Sequence, residues 1–226
     1  MLIKALLAAT VLSAAPAAAG LDAAAETPEA APHQTAADAL PEPSGEVDSE
    51  VVERVNAYLD NLNAVQGRFV QINPDGSAYE GEIYLDRPGK ARFDYDNYPL
   101  LIVADGMTVA QRDEELETTD RVSLKSTPLY YLLKSDVNLT EDAQVEAAGT
   151  SGDSTFVTLS DPEGEFEGVL TLYFSSPSLE LREWIATDAL GQETRFALTD
   201  VRRASSLDPR LFTLDGDQAD DRRGRR

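Results

Sequence analysis

The chain has 226 residues, with 41 acidic and 19 basic side chains, one histidine, no cysteine and a formal charge of −22. Such a chain repels phosphate backbones and anionic headgroups, which argues against nucleic-acid binding and permanent adsorption to a membrane, although solubility in a crowded or salty compartment selects the same composition. The lack of cysteine excludes disulfides and a lipid-modified cysteine anchor, so a soluble mature protein stabilised by its own core is expected, and the lone His33 excludes histidine triads and multi-histidine metal sites.

Met1 to Lys4, the apolar run Ala5 to Leu12 and the small residues Ala17 to Gly20 read as a secretory signal peptide over residues 1–19. The apolar run is shorter than the roughly 20 residues a membrane-spanning helix needs. Cleavage after Ala19 removes Lys4 and no acid, leaving 18 basic against 41 acidic side chains, a charge of −23. Residues 20–46 are rich in Ala, Pro and acids and poor in large apolar groups; they cannot offset their ordering entropy and read as a disordered linker. Residues 215–226 read as a charged, frayed tail. Between them, residues 47–214 have the length of one domain.

That domain opens with a helix. Val47, Val51, Val55, Leu59 and Leu62 form one apolar stripe with Tyr58 beside it, opposite Glu50, Glu53, Arg54 and Asp60, and Asp48 or Ser49 supplies a cap. Strand signals follow. Tyr79 to Asp86 and Lys90 to Asp96 alternate apolar or small with charged residues, and the turn chemistry at Asn73-Pro74-Asp75-Gly76, Arg87-Pro88-Gly89 and Asp105-Gly106 joins such segments into antiparallel pairs. A short apolar helix is expected from Pro128 to Leu133, with Thr127 as cap and Leu129, Leu132 and Leu133 on one stripe. Further strands are expected at 156–159, 166–174, 179–186 and 194–201. In the second of these, Phe166, Gly168, Leu170, Leu172 and Phe174 share a face opposite Val169 and Tyr173. Two helices cannot cover the dry faces of so many strands. The fold class is therefore mainly β (α+β): an antiparallel sheet curled into an incomplete barrel, with helices as a lid over an apolar cavity.

No phosphate loop, nucleophile elbow, zinc helix or EF-hand loop is present. Asp94 and Asp96 could form a carboxylate pair for a carbohydrate-acting enzyme, but acids are common throughout and both lie on a wet strand face, so solvated surface is the reading. Asp113-Glu114-Glu115 lacks the ligand spacing of a calcium site and reads as a hairpin tip. No catalytic residue, metal or cofactor is assigned.

The order of segments resembles the periplasmic outer-membrane lipoprotein carrier family, LolA. The resemblance rests on Leu59 to Leu62, Gly67 to Gln71, Gly81 to Tyr95, Ile102 to Gly106, Thr127-Pro128-Leu129 and Asp188 to Gln192, spread in order over about Val47 to Leu214. It implies a soluble, monomeric periplasmic shuttle that takes acylated lipoproteins from an inner-membrane ABC transporter and delivers them to an outer-membrane acceptor or receptor. Many relatives carry bulkier residues where this chain has Ala91 and Phe93. The alternative of the same fold is a lipid- or lipoprotein-sensing regulator. Acyl chains are expected against Phe69, Ile83, Leu85, Phe93, Tyr95, Leu129, Leu132, Leu133, Leu170, Leu172 and Phe174. Arg87 stands at the family's matching arginine position; its planar fork of donors suits the backbone carbonyls of a lid helix, which would make it a lid switch.

Overall fold

The computed structural model describes residues 40–43 and 45–214; the expected signal peptide, most of the linker and the charged tail lie outside them. Helix α1 spans Ser49–Asn61. Asp48 caps it, its Oδ1 accepting from the amides of Glu50 (2.9 Å) and Val51 (3.3 Å), and Val51, Val52, Val55 and Leu59 form the buried stripe. Val47 departs from the expected stripe. It stands before the cap, exposed, in a parallel bridge to Ala148.

The strands are β1 Ala64–Ile72, β2 Ala78–Asp86, β3 Lys90–Tyr95, β4 Leu100–Asp105, β5 Thr108–Asp113, β6 Thr118–Ser123, β7 Gln144–Ser151, β8 Ser154–Ser160, β9 Gly168–Ser175, β10 Leu181–Asp188 and β11 Glu193–Ala204. They form one antiparallel sheet in the order β6-β5-β4-β3-β2-β1-β11-β10-β9-β8-β7. The outer strands β6 and β7 do not pair with each other, so the sheet is open. The connection between them carries helices α2 Leu129–Leu133 and α3 Leu139–Asp142. Thr127 is not the cap of α2: its Oγ1 donates to the Leu124 carbonyl at 2.8 Å, closing the preceding turn, and Pro128 occupies the cap position.

Residues from β1 to β5 and from β8 to β11 enter a single buried cluster with α1, α2 and α3, which requires the sheet to wrap around those helices. At its centre Trp184 stacks on Phe196 at 4.9 Å, and Phe93 meets both edge-on, at 6.3 Å from Trp184 and 5.9 Å from Phe196. Two smaller clusters lie on the outer face. Leu101 and Val103 are covered by Phe212 from the C-terminal turn Pro209–Phe212, which Arg92 holds through the Leu211 carbonyl at 3.1 Å. Ala147, Phe156 and Tyr173 are covered by Leu40.

Replacing Phe196 by Ala is expected to cost about 3–5 kcal/mol of unfolding free energy, through lost burial and a cavity. Asp48→Ala is expected to cost only about 1 kcal/mol, through the lost cap. Urea denaturation of the two variants beside the parent checks the ranking.

Candidate functional site

The interior of the curl is the candidate site. Phe69, Ile83, Leu85, Phe93, Leu129, Leu132, Leu133, Leu170, Leu172 and Phe174 come together there as buried members of one cluster, and Tyr95 is half-buried at its margin. Period-two alternation places the strand residues: Ile83 and Leu85 on β2, Phe93 and Tyr95 on β3, and Leu170, Leu172 and Phe174 on β9 each project from one face. Phe69 and Phe93 approach edge to face at 5.6 Å. Tyr95 Oη donates to Gln71 Oε1, beginning a polar rim that continues from Gln71 Nε2 to Asn73 Oδ1 at 2.6 Å and from Asn73 Nδ2 to Ser77 Oγ at 3.0 Å. Burial raises the Tyr95 phenol well above the ordinary tyrosine pKa. Sequence reasoning missed Trp184 and Phe196, the middle of this interior. Their strands alternate weakly because Thr194 stands on the inner face and Ile185 on the outer one, and the large size of both rings was the remaining signal.

Helix α2 lies over this interior with Leu129, Tyr131, Leu132 and Leu133 buried. Its C-terminal end is tied by polar contacts. Arg87 Nη2 donates to the Lys134 carbonyl, Arg87 Nη1 reaches the Leu62 carbonyl at 3.5 Å, and the Gly89 amide donates to the Leu133 carbonyl at 2.8 Å. Arg87 therefore bridges the ends of α1 and α2 from the turn between β2 and β3. Burial lowers its pKa, opposed by the Asp60 carboxylate and the Tyr58 phenol oxygen, and its Nε is buried without a hydrogen-bond partner among the described residues. Gly89 is at φ +80, and a Cβ there would stand 2.7 Å from Gly106 Cα; only glycine brings this turn against the next and its amide to α2.

Helix α1 holds the rest of the lid segment. Asp60 Oδ1 accepts from the Val137 amide at 2.9 Å, and Asn56 Oδ1 accepts from the Leu139 amide at 3.1 Å. On the far side of α2, Asp161 accepts from the amides of Phe166 and Glu163, both at 2.9 Å, and from the Tyr131 hydroxyl. Partial burial works against the Asp161 charge, but these donors outweigh it and hold its pKa below the ordinary carboxylate value. Tyr131 is correspondingly pushed up, first by burial and then by the Asp161 charge.

The carboxylates weighed as an enzyme pair are engaged elsewhere: Asp94 with Arg92 Nε at 2.7 Å and Asp96 with Arg68. Asp113 caps its hairpin tip, accepting from the amides of Glu115 and Leu116. Among the described residues, no group of three or more His, Cys, Asp or Glu side chains is arranged to hold a metal ion, and no helix is long and apolar enough to cross a membrane.

Asp161→Asn is expected to lower stability at neutral pH by about 1–2 kcal/mol, the usual worth of hydrogen bonds to a charged acceptor. Because the folded pKa lies below the unfolded value, the contribution is present above the ordinary carboxylate pKa and is lost as pH falls through the folded one. The stability gap between variant and parent therefore closes on acidification below about pH 4. Denaturation curves at stepped pH measure it.

Three comparisons bear on this geometry. The family model described as outer membrane lipoprotein carrier protein LolA matches residues 60–215, more than half of the chain. The outer-membrane lipoprotein carrier protein of Methylococcus capsulatus is 31% identical over 169 residues, covering 70% of this chain and 80% of that protein. Its counterpart from Chromobacterium violaceum is 26% identical over 174 residues, covering 74% and 84%. Among solved structures, a LolA superfamily protein from Nitrosomonas europaea superposes with a TM-score of 0.46 at 11% identity, over 75% of this chain and 99% of that one. The matched span runs from the end of α1 through every strand and the helices between β6 and β7, and the chain belongs to the outer-membrane lipoprotein carrier (LolA) family.

Proposed function

We propose that this protein is a soluble periplasmic carrier that receives lipoproteins released from the inner membrane by an ABC transporter, shields their acyl chains beneath α2, and delivers them to an outer-membrane acceptor. The observation that carries the reading is a short lid, α2, set on an apolar interior and tied by a handful of polar contacts centred on Arg87. Each acyl CH₂ left in water costs about 0.8 kcal/mol, so a lipid-modified protein does not leave a bilayer without a shield. The residues that acyl chains meet are those now facing Leu129, Leu132 and Leu133, with Phe69, Ile83, Leu85, Phe93, Leu170, Leu172 and Phe174 on the sheet and Tyr95 at the rim. Acyl chains can replace the lid's own leucines against them.

Arg87 is the switch in this scheme. Its bonds to the Lys134 and Leu62 carbonyls form when the lid closes and break when cargo lifts it, so their return drives unloading. The export signal at residues 1–19 and the acidic, cysteine-free domain at 47–214 support a periplasmic, untethered monomer, with no nucleic-acid partner.

Native purification from the periplasm followed by mass spectrometry is expected to find a bound lipoprotein; repeated recovery of lipid-free protein under loading conditions counts against the carrier. Arg87→Leu is expected to melt within a few degrees of the parent and to accept cargo. Its transfer of that cargo to outer-membrane vesicles should fall at least tenfold, so that loaded complex accumulates. Unimpaired delivery would leave Arg87 a structural hairpin residue.

A further inference from the structure

We infer that the slot between β10 and the C-terminal half of β11 receives the extended peptide that follows the cargo's acylated residue, whose main chain pairs with the free edge of β11; this rests on the carrier reading above. Strand β11 is twelve residues long and pairs with β1 from Arg195↔Ile72 to Ala204↔Ala64. On its other edge the ladder with β10 ends at Glu183↔Ala197. The strands then part, although β10 extends to Leu181. Each carries an irregularity at the parting point: Arg182 is the extra residue between the pairs Leu181↔Phe174 and Glu183↔Tyr173, and β11 bulges around Asp200, at φ +52, opposite Gly67. Bulges bend a strand and increase its twist. A Cβ on Gly67 would stand 2.9 Å from the Thr199 carbonyl oxygen, so glycine lets β1 follow β11 through the bend.

The Leu181 amide donates to Tyr58 Oη of α1 at 3.0 Å rather than to β11. Residues Leu198 to Ala204 are thereby left, among the described residues, without a strand on that side. The slot opens as a cleft of about 300 Å³ whose floor includes Tyr58, Leu62, Val65, Leu181 and Leu198, all part of or packed on the main core. A chain anchored by lipid in that core would leave along this floor. A second cleft of about 440 Å³ shares Arg182, Leu198 and Thr199 and continues onto the outer face. There the protein's own Leu40 and Pro41 are already seated, the Pro41 carbonyl accepting from Tyr173 Oη at 3.4 Å, so the trough accommodates a peptide main chain. The charges on the slot are mixed, Arg182 and Arg203 against Glu180 and Asp200, which favours no particular side chain. Strand addition recognises the main chain common to every peptide and suits a site that handles varied sequences on one kind of lipid.

Deuterium exchange of the purified chain tests this with three probes: a diacylglyceryl-cysteine lipopeptide bearing six further residues, the same lipopeptide methylated at every second peptide nitrogen in either register, and palmitate. The first is expected to slow exchange of slot-facing amides within residues 198–204 at least tenfold. One methylated register should lose that protection, and palmitate should displace a fluorescent fatty acid without protecting these amides. If the lipopeptide displaces the fluorescent fatty acid but leaves residues 198–204 unchanged, the slot inference is overturned and the carrier reading stands. If neither lipopeptide nor palmitate displaces it, the carrier reading falls and the slot inference with it. Protection without ligand that disappears on deleting residues 20–39, or that grows with protein concentration, would assign the edge to the N-terminal extension or to a second copy, and overturn the inference.

Discussion

An open sheet with one apolar concave face must be covered from within, and this need organises the molecule. Because β6 and β7 do not pair, the gap is bridged by the segment that joins them, and that segment brings α2 and α3 onto the interior. Each fully buried leucine of α2 is worth at most about 1.5–3 kcal/mol, so apolar burial supplies most of the lid's hold. The polar contacts at its ends contribute about 0.5–1.5 kcal/mol each where both groups are neutral and about 1.5–3 where Arg87 donates, so they fix its position on top of the burial. A lid of five residues held this way contrasts with the inner strands, which are laddered to a neighbour on each side for most of their length.

Much of this was legible in the sequence where one strand face is wet and the other dry. Alternation in β2, β3 and β9 places Ile83, Leu85, Phe93, Leu170, Leu172 and Phe174 in the buried interior; Phe69 of β1 and the three leucines of the α2 stripe make ten of the eleven expected contact residues, with Tyr95 at the margin. Alternation failed where the outer face is covered as well. Leu101, Ile102, Val103 and Ala104 in β4 form a continuous apolar run because Phe212 and its neighbours lie across the back of Leu101 and Val103. β8 is buried at six consecutive residues because its outer side meets Ala147, Tyr173 and Leu40. β7, with Ala147, Ala148 and Gly149, has too few large side chains to signal a strand at all. The C-terminal turn depends on Arg92 and Arg112 reaching the carbonyls of Leu211 and Leu214, more than a hundred residues away in sequence, and no local pattern encodes such a contact. Arg87 shows the other limit. Its place in a turn is readable, but its partners, the ends of two helices, exist only once the sheet has curled.

The two halves of the sheet differ in how their outer faces are secured. Across β3 to β5, the C-terminal turn is fastened by two arginines and packs a buried aromatic ring on the strands, so this half is braced from both sides. Across β9 to β11, the outer covering among the described residues is Leu40 with one long hydrogen bond beside it, and the cross-strand tie nearest the split is the Glu183–Arg195 pair at 2.5 Å. Widening the interior requires strands to move apart somewhere, and the least costly place is where a ladder already ends. The parting of β10 and β11 lies directly under Tyr58 of α1, the same helix whose end is tied by Arg87 to the lid. Arg87 is one support of the α1 end, and Tyr58 of the same helix holds the Leu181 amide beside the slot. If the lid moves as proposed, α1 is the element through which that movement reaches the parting of β10 and β11.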